Sequence, residues 1–131
     1  MFLNQLNKEE KIAFLELAYY IAKDDNNFSE AEENMIATYC LEMEIENIDF
    51  DENKFYLEST LSKFEDEKSK KIALLEIMAL IYSDGLKDGE QTVLDMMVQV
   101  FNLTQDLSTE YAKWTQSILK MSAQGYKLIY S

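Results

Sequence analysis

IAFLELAYYIAKDDNNFSEAE, residues 12–32, and IALLEIMALIYSDGLKDGE, residues 72–90, read as one unit written twice. In the first copy, apolar Phe14 to Ala22 runs into the turn Asp25-Asn26 and on to Glu32. In the second, Ile72 to Tyr82 runs into Asp84-Gly85 and on to Glu90. The copies lie about sixty residues apart, and each sets a carboxylate seven or six positions after its turn aspartate. The run Ile12–Ala22 is broken only by Glu16, and Ile72–Tyr82 only by Glu76. Helices apolar nearly all round are buried on most sides, so this pair is expected side by side at the centre of the fold. A pseudo-twofold relation between the copies would bring both acidic turns to the same side.

Outward from these runs, apolar spacing stays helical almost throughout, proline is absent, and only Gly85, Gly89 and Gly125 interrupt. No Asn-Gly hairpin flanked by alternating strands occurs, so the fold class is all-α with about six helices. Caps fix the helix starts. Asn7 with Glu10 opens a helix over residues 8–23, and Ser29 with Glu32 is a capping box opening a second, to about Met43. Asp51, with Phe50 stapled onto Phe55, starts a third helix reaching about Phe64. A fourth covers about Lys68 to Ser83, and Asp88 with Gln91 caps a fifth to about Phe101. Ser108 caps a sixth to about Ala123, with Gly125 as a left-handed stop and the apolar tail Tyr126–Tyr130 docked on the body or on something else. The chain thus divides into a first unit (8–44), a spacer helix (51–65), a second unit (68–102) and a C-terminal helix (108–124), all within one domain over residues 1–131.

Composition narrows the function. The chain has no histidine and no arginine, which excludes imidazole catalysis, His-ligated zinc and a guanidinium fork for phosphate. A single cysteine, Cys40, excludes an intramolecular disulfide and a multi-cysteine zinc site; it is expected as a core thiol. No apolar run approaches the roughly 18 residues of a membrane span, and no basic-then-apolar leader opens the sequence, so a soluble cytoplasmic protein is expected. The net charge of −13 is concentrated between Asp24 and Glu67, where fifteen acids meet only Lys54 and Lys63; elsewhere ten acids and ten lysines cancel. Such a field repels nucleic acid and anionic lipid and attracts cations or a basic protein partner. A solvated surface that keeps the protein soluble is the plain alternative.

Each acidic turn pairs an aspartate with Asn or Gly, which permit a left-handed turn, and adds an apolar pin, Phe28 or Leu86. Glu32 and Glu90 then fall in the first turn of the next helix, where the dipole alone favours an acid by about 0.3–1 kcal/mol. Two carboxylates 4 Å apart repel by about 1 kcal/mol in water and about 4 at an effective dielectric of 20, so convergence of several requires wide spacing or a cation. Ca²⁺ accepts six to eight oxygens, including waters and backbone carbonyls. The loops are not EF-hands, because Leu86 stands where the third loop position needs an oxygen ligand.

The residues Ala22-Lys23-Asp24-Asp25-Asn26 with Phe28-Ser29 and Glu32, followed by Ile81-Tyr82-Ser83-Asp84-Gly85 with Glu90, resemble the repeated A-x-x-D-G … E signature of the TerB-like tellurite-resistance family. The similarity spans residues 12–103. It implies pseudo-symmetric helical halves whose acidic turns share one face and bind a divalent metal, Ca²⁺ or Mg²⁺, in a stress-response or accessory module; such domains also occur beside J-domain co-chaperones. The ligands it implies are Asp25, Glu32, Asp84 and Glu90, with Asp24 and Asp88 as lesser candidates. The sequence departs from the signature at Asn26, which replaces a glycine, and in a second loop one residue shorter, which leaves Glu90 free to point differently.

Two other function classes stand beside this non-enzymatic metal-binding reading. One is an acidic interaction module that engages a basic partner without metal. The other is an enzyme built on paired carboxylates, for which no nucleophile or nucleotide loop is present. Glu16 and Glu76 are expected on solvent-facing stripes, or else against each other or a basic group. Met96 and Met97 read as packing. On the sixth helix Tyr111, Trp114, Ile118 and Met121 share one face, read as docking on the core or as a partner surface. With Lys113, Lys120 and Lys127 this is the least acidic end, so the protein is expected as a monomer or a weak homodimer joined through opposite electrical ends.

Overall fold

The computed structural model describes residues 1–23, 29–83 and 89–131. Their helices are α1 (Lys8–Lys23), α2 (Glu30–Met43), α3 (Leu57–Leu61), α4 (Glu67–Ser83), α5 (Glu90–Val100) and α6 (Gln105–Tyr130), with 3-10 turns at Leu3–Gln5 and Glu52–Lys54. No strand occurs among the described residues, and the fold is all-α as expected.

The two apolar runs become α1 and α4, which touch each other at the centre. On α1, Ala13, Phe14, Leu15, Leu17, Ala18 and Ile21 are buried; on α4, Ile72, Ala73, Leu74, Ile77, Met78, Leu80 and Ile81 are. Each large side chain so buried contributes about 1.5–3 kcal/mol relative to exposure. Around this pair, α2 and α3 pack on α1, while α5 and α6 pack on α4. Phe14 meets Tyr39 of α2 edge-on at 5.2 Å, and Phe64 meets Phe101 at 5.9 Å.

The predicted caps at Asn7 and Ser29 are present. Asn7 and Glu10 exchange two bonds of 2.9 Å, and Ser29 with Glu32 forms the full capping box. Three expectations are corrected. The spacer helix is broken: Asp51 caps only the 3-10 turn Glu52–Lys54, and α3 begins afresh at Leu57. The aromatic cluster explains the break, because Tyr20 stacks on Phe55 at 4.6 Å, Tyr19 on Phe50 at 5.6 Å, and Phe50 meets Phe55 at 5.7 Å. Holding both phenylalanines on α1 fixes the chain between them in a shape one continuous helix does not match. α5 takes its N-cap from Gly89, at φ 92°, a left-handed conformation that glycine adopts without strain; the Gln91 side chain instead donates to Asp95 at 2.9 Å.

The third correction concerns α6. It is capped by Thr104, whose hydroxyl accepts from the Leu107 N–H at 3.1 Å, and runs through Gly125 to Tyr130. An interior glycine costs about 1 kcal/mol, which a helix of 26 residues carries without stopping. The tail therefore does not fold back on the body: every residue from Lys120 to Ser131 is exposed. Only the first half docks, through half-buried Tyr111 and Ile118 and buried Thr115; Trp114 is partly exposed beside Phe2, and Met121 is largely exposed.

Candidate functional site

The two acidic turns join α1 to α2 and α4 to α5. Asp24, Asp25, Asp84 and Asp88, with the apolar pins Phe28 and Leu86, lie outside the described residues. The two carboxylates that follow the turns are described, and both are buried: Glu32 is 5% exposed and Glu90 is 8% exposed. Glu32 stands at the third residue of α2, where its Oε1 accepts from the Ser29 N–H at 3.2 Å and from the Ser29 hydroxyl at 3.0 Å. Its own N–H donates to Ser29 Oγ at 3.1 Å. One carboxylate oxygen is thus committed to the helix start. Glu90 opens α5 directly after Gly89, where no side chain caps the helix. The duplicated units therefore differ at the junction: the first opens its helix on a serine cap, the second on Gly89.

The end of α4 touches α2. Ser83, the last residue of α4, donates its hydroxyl to the Leu80 carbonyl at 2.7 Å and stands 3.0 Å from Sδ of Met35. Met35 lies one helical turn beyond Glu32 on α2. The residue that precedes the second acidic turn is thereby in contact with the helix that follows the first. The donor set named from the sequence is all carboxylate oxygen, which suits a hard cation such as Ca²⁺ or Mg²⁺. Among the described residues no three histidine, cysteine, aspartate or glutamate side chains group so as to hold a metal ion, so any such centre needs the turn aspartates.

The two lone carboxylates have different surroundings. Glu16 is half-buried and pairs with Lys63 at 3.6 Å, a basic partner on the spacer segment. Glu76 is buried, which corrects its placement on a solvent-facing stripe. Its Oε1 accepts from the Phe2 N–H at 2.8 Å and lies 3.1 Å from the Met1 ammonium. Glu42 holds the same ammonium at 2.8 Å and takes the Leu3 N–H at 2.9 Å. Burial alone lowers the pKa of that amine, but the hydrogen bonds to Glu42 and Glu76, with their charges, outweigh it and hold the pKa above its ordinary value. The Tyr39 hydroxyl, buried and without a hydrogen-bond partner, faces the same group; burial first, then the charges of Glu76 and Glu42, push its pKa far up. Glu42 was missed in the sequence, since an acid near the end of an amphipathic helix carries no signal of a distant amine. Glu76 carried a signal of burial only: its neighbours Leu74, Leu75, Ile77 and Met78 leave no polar stripe for it to share.

Cys40 is half-buried against the core, and burial raises its thiol pKa. Met97 is fully buried and Met96 partly so, in keeping with packing. No helix among the described residues is long and apolar enough to cross a membrane. Compared with family models, with curated proteins and with solved structures, the chain matches none.

Proposed function

We propose that this chain is a non-enzymatic, TerB-like helical domain that binds a divalent cation, Ca²⁺ ahead of Mg²⁺, between its two acidic turns, as a stress-response or accessory module. Asp25 and Glu32 would supply oxygens from the first turn and Asp84 and Glu90 from the second, with Asp24 and Asp88 as further carboxylates. The observation that carries the reading is the burial of both Glu32 and Glu90 at the starts of the helices that follow the two acidic turns. A carboxylate taken out of water costs more to keep charged, and a bound cation would lower that cost. The cation would neutralise carboxylates whose mutual repulsion otherwise grows as they converge. Titration calorimetry with CaCl₂ and with MgCl₂ tests it on the wild type and on Asp25→Asn/Asp84→Asn. The wild type is expected to give a saturable heat that the double variant lacks; identical flat titrations would end the reading.

A second reading, an acidic module that engages a basic protein without metal, is favoured by the charge distribution. From Ser29 to Asn47 the chain carries six acids and no lysine, and Glu30, Glu33, Glu44 and Glu46 are exposed. It expects salt-sensitive binding of a basic protein that chelator leaves unchanged, whereas the cation reading expects chelator to matter.

A further inference from the structure

The free half of α6 and the outer face of α2 are two exposed apolar surfaces of opposite charge. Along α6, Leu107, Tyr111, Trp114, Ile118, Met121, Gly125 and Leu128 follow alternating steps of four and three, the spacing of a helix-packing seam. The seam's first half lies on α4 and its second half leaves the body. There Leu128 is 82% exposed and Ile129 is 75% exposed. Gly125 lies within this free stretch, and a Cβ added to it would meet nothing within 4 Å. The protein's own packing therefore gives no reason for a residue that weakens the helix, whereas close approach of a second helix does. From Tyr111 onward the arm carries Lys113, Lys120 and Lys127 and no acid.

On α2, a shallow groove of about 630 Å³ is lined by Ala37, Cys40, Leu41, Glu44, Ile45 and Asn47. Leu41, 80% exposed, lines it, with Glu33 of α2 and its C-cap Glu44 exposed beside it. At 1.5 Å per residue, the eleven residues from Lys120 to Tyr130 span about 16 Å and α2 about 21 Å, so the arm fits along the groove.

We infer that the free half of α6 from one copy docks in the α2 groove of a second copy. Met121, Leu128 and Ile129 cover Leu41, Ala37 and Ile45, as an amphipathic helix lies in a groove. The lysines run along the back of the arm, and their long stems reach the acidic rim, within the roughly 8–10 Å over which charges attract at physiological salt. A basic arm meeting an acidic groove also distinguishes this arrangement from two arms packed together, which would bring like charges close. Two copies that exchange arms form a closed pair.

Sedimentation of the full chain over a concentration series tests the inference. The wild type is expected to approach twice its 15.3 kDa mass, with association weakened at least about tenfold, or about 1.4 kcal/mol, by either Leu41→Lys or Leu128→Glu/Ile129→Glu. All three substitutions are at exposed positions, and circular dichroism checks that the variants keep their helices. Mixed together, the Leu41→Lys chain and the Leu128→Glu/Ile129→Glu chain are expected to form a one-to-one complex, because one retains the arm and the other the groove. A wild type that stays monomeric overturns the inference. So does a Leu41→Lys chain that associates as the wild type does, which would mean arm packs on arm. Binding of the monomeric wild type to anionic phosphatidylglycerol vesicles, lost on Leu128→Glu/Ile129→Glu, overturns it in favour of a lipid surface.

Discussion

Replacing Glu76 by glutamine probes whether the N-terminal ammonium stabilises the fold through a buried partner. The amide oxygen still accepts the Phe2 N–H, so the backbone bond at 2.8 Å survives and the charge opposite the ammonium at 3.1 Å is lost. A hydrogen bond to a charged group contributes about 1.5–3 kcal/mol net. Three features reduce that figure: Met1 is more than half exposed, Glu42 keeps its own bond to the ammonium, and a neutral amide is cheaper to bury than a carboxylate. The expected loss is about 1–2 kcal/mol at pH 7, a fall in Tm of about 3–7 °C for a domain of this size. The pH dependence carries the sharper test. The amine's pKa is raised in the folded state, so the stabilisation is complete below its unfolded value near 8.0 and is lost as pH rises through the higher folded value. Urea unfolding at pH 7 and through the alkaline range should therefore show the gap between wild type and variant closing as the amine deprotonates. A variant as stable as the wild type at pH 7, or a gap that stays constant with pH, would refute the argument.

Ser29→Ala removes one side of the capping box on α2 and is expected to lower stability by about 1 kcal/mol in urea unfolding. The burial that raises the Cys40 thiol predicts slow alkylation by iodoacetamide at pH 7, slower than an exposed cysteine peptide and accelerating as pH rises; mass spectrometry reads the rate.

Much of the fold is written locally. Periodicity and capping act over three or four residues, so α1, α2, α4 and the reciprocal bonds at Asn7 and Ser29 follow from neighbouring residues alone. The burial of α1 and α4 was also legible, since an all-round apolar helix has no other stable place. Of the candidate site, the sequence supplied the residue types and the duplicated spacing. That Glu32 and Glu90 are both buried, and that Ser83 touches Met35, depends on how the two units pack against each other. Local rules misplaced the spacer because Phe50 and Phe55 answer to Tyr19 and Tyr20 on another helix. They stopped α6 at Gly125 although a long helix absorbs one glycine.

The sequence by itself therefore determined that the fold is all-α, where α1, α2 and α4 run, and that α1 and α4 lie at the centre, because periodicity, caps and all-round apolarity are written in neighbouring residues. Only the tertiary structure decided that Glu76 meets the amino terminus, 74 positions along the chain from Phe2, and that α6 outruns the body it docks on. Both outcomes are set by which distant surfaces come together, and no local pattern of residues encodes that.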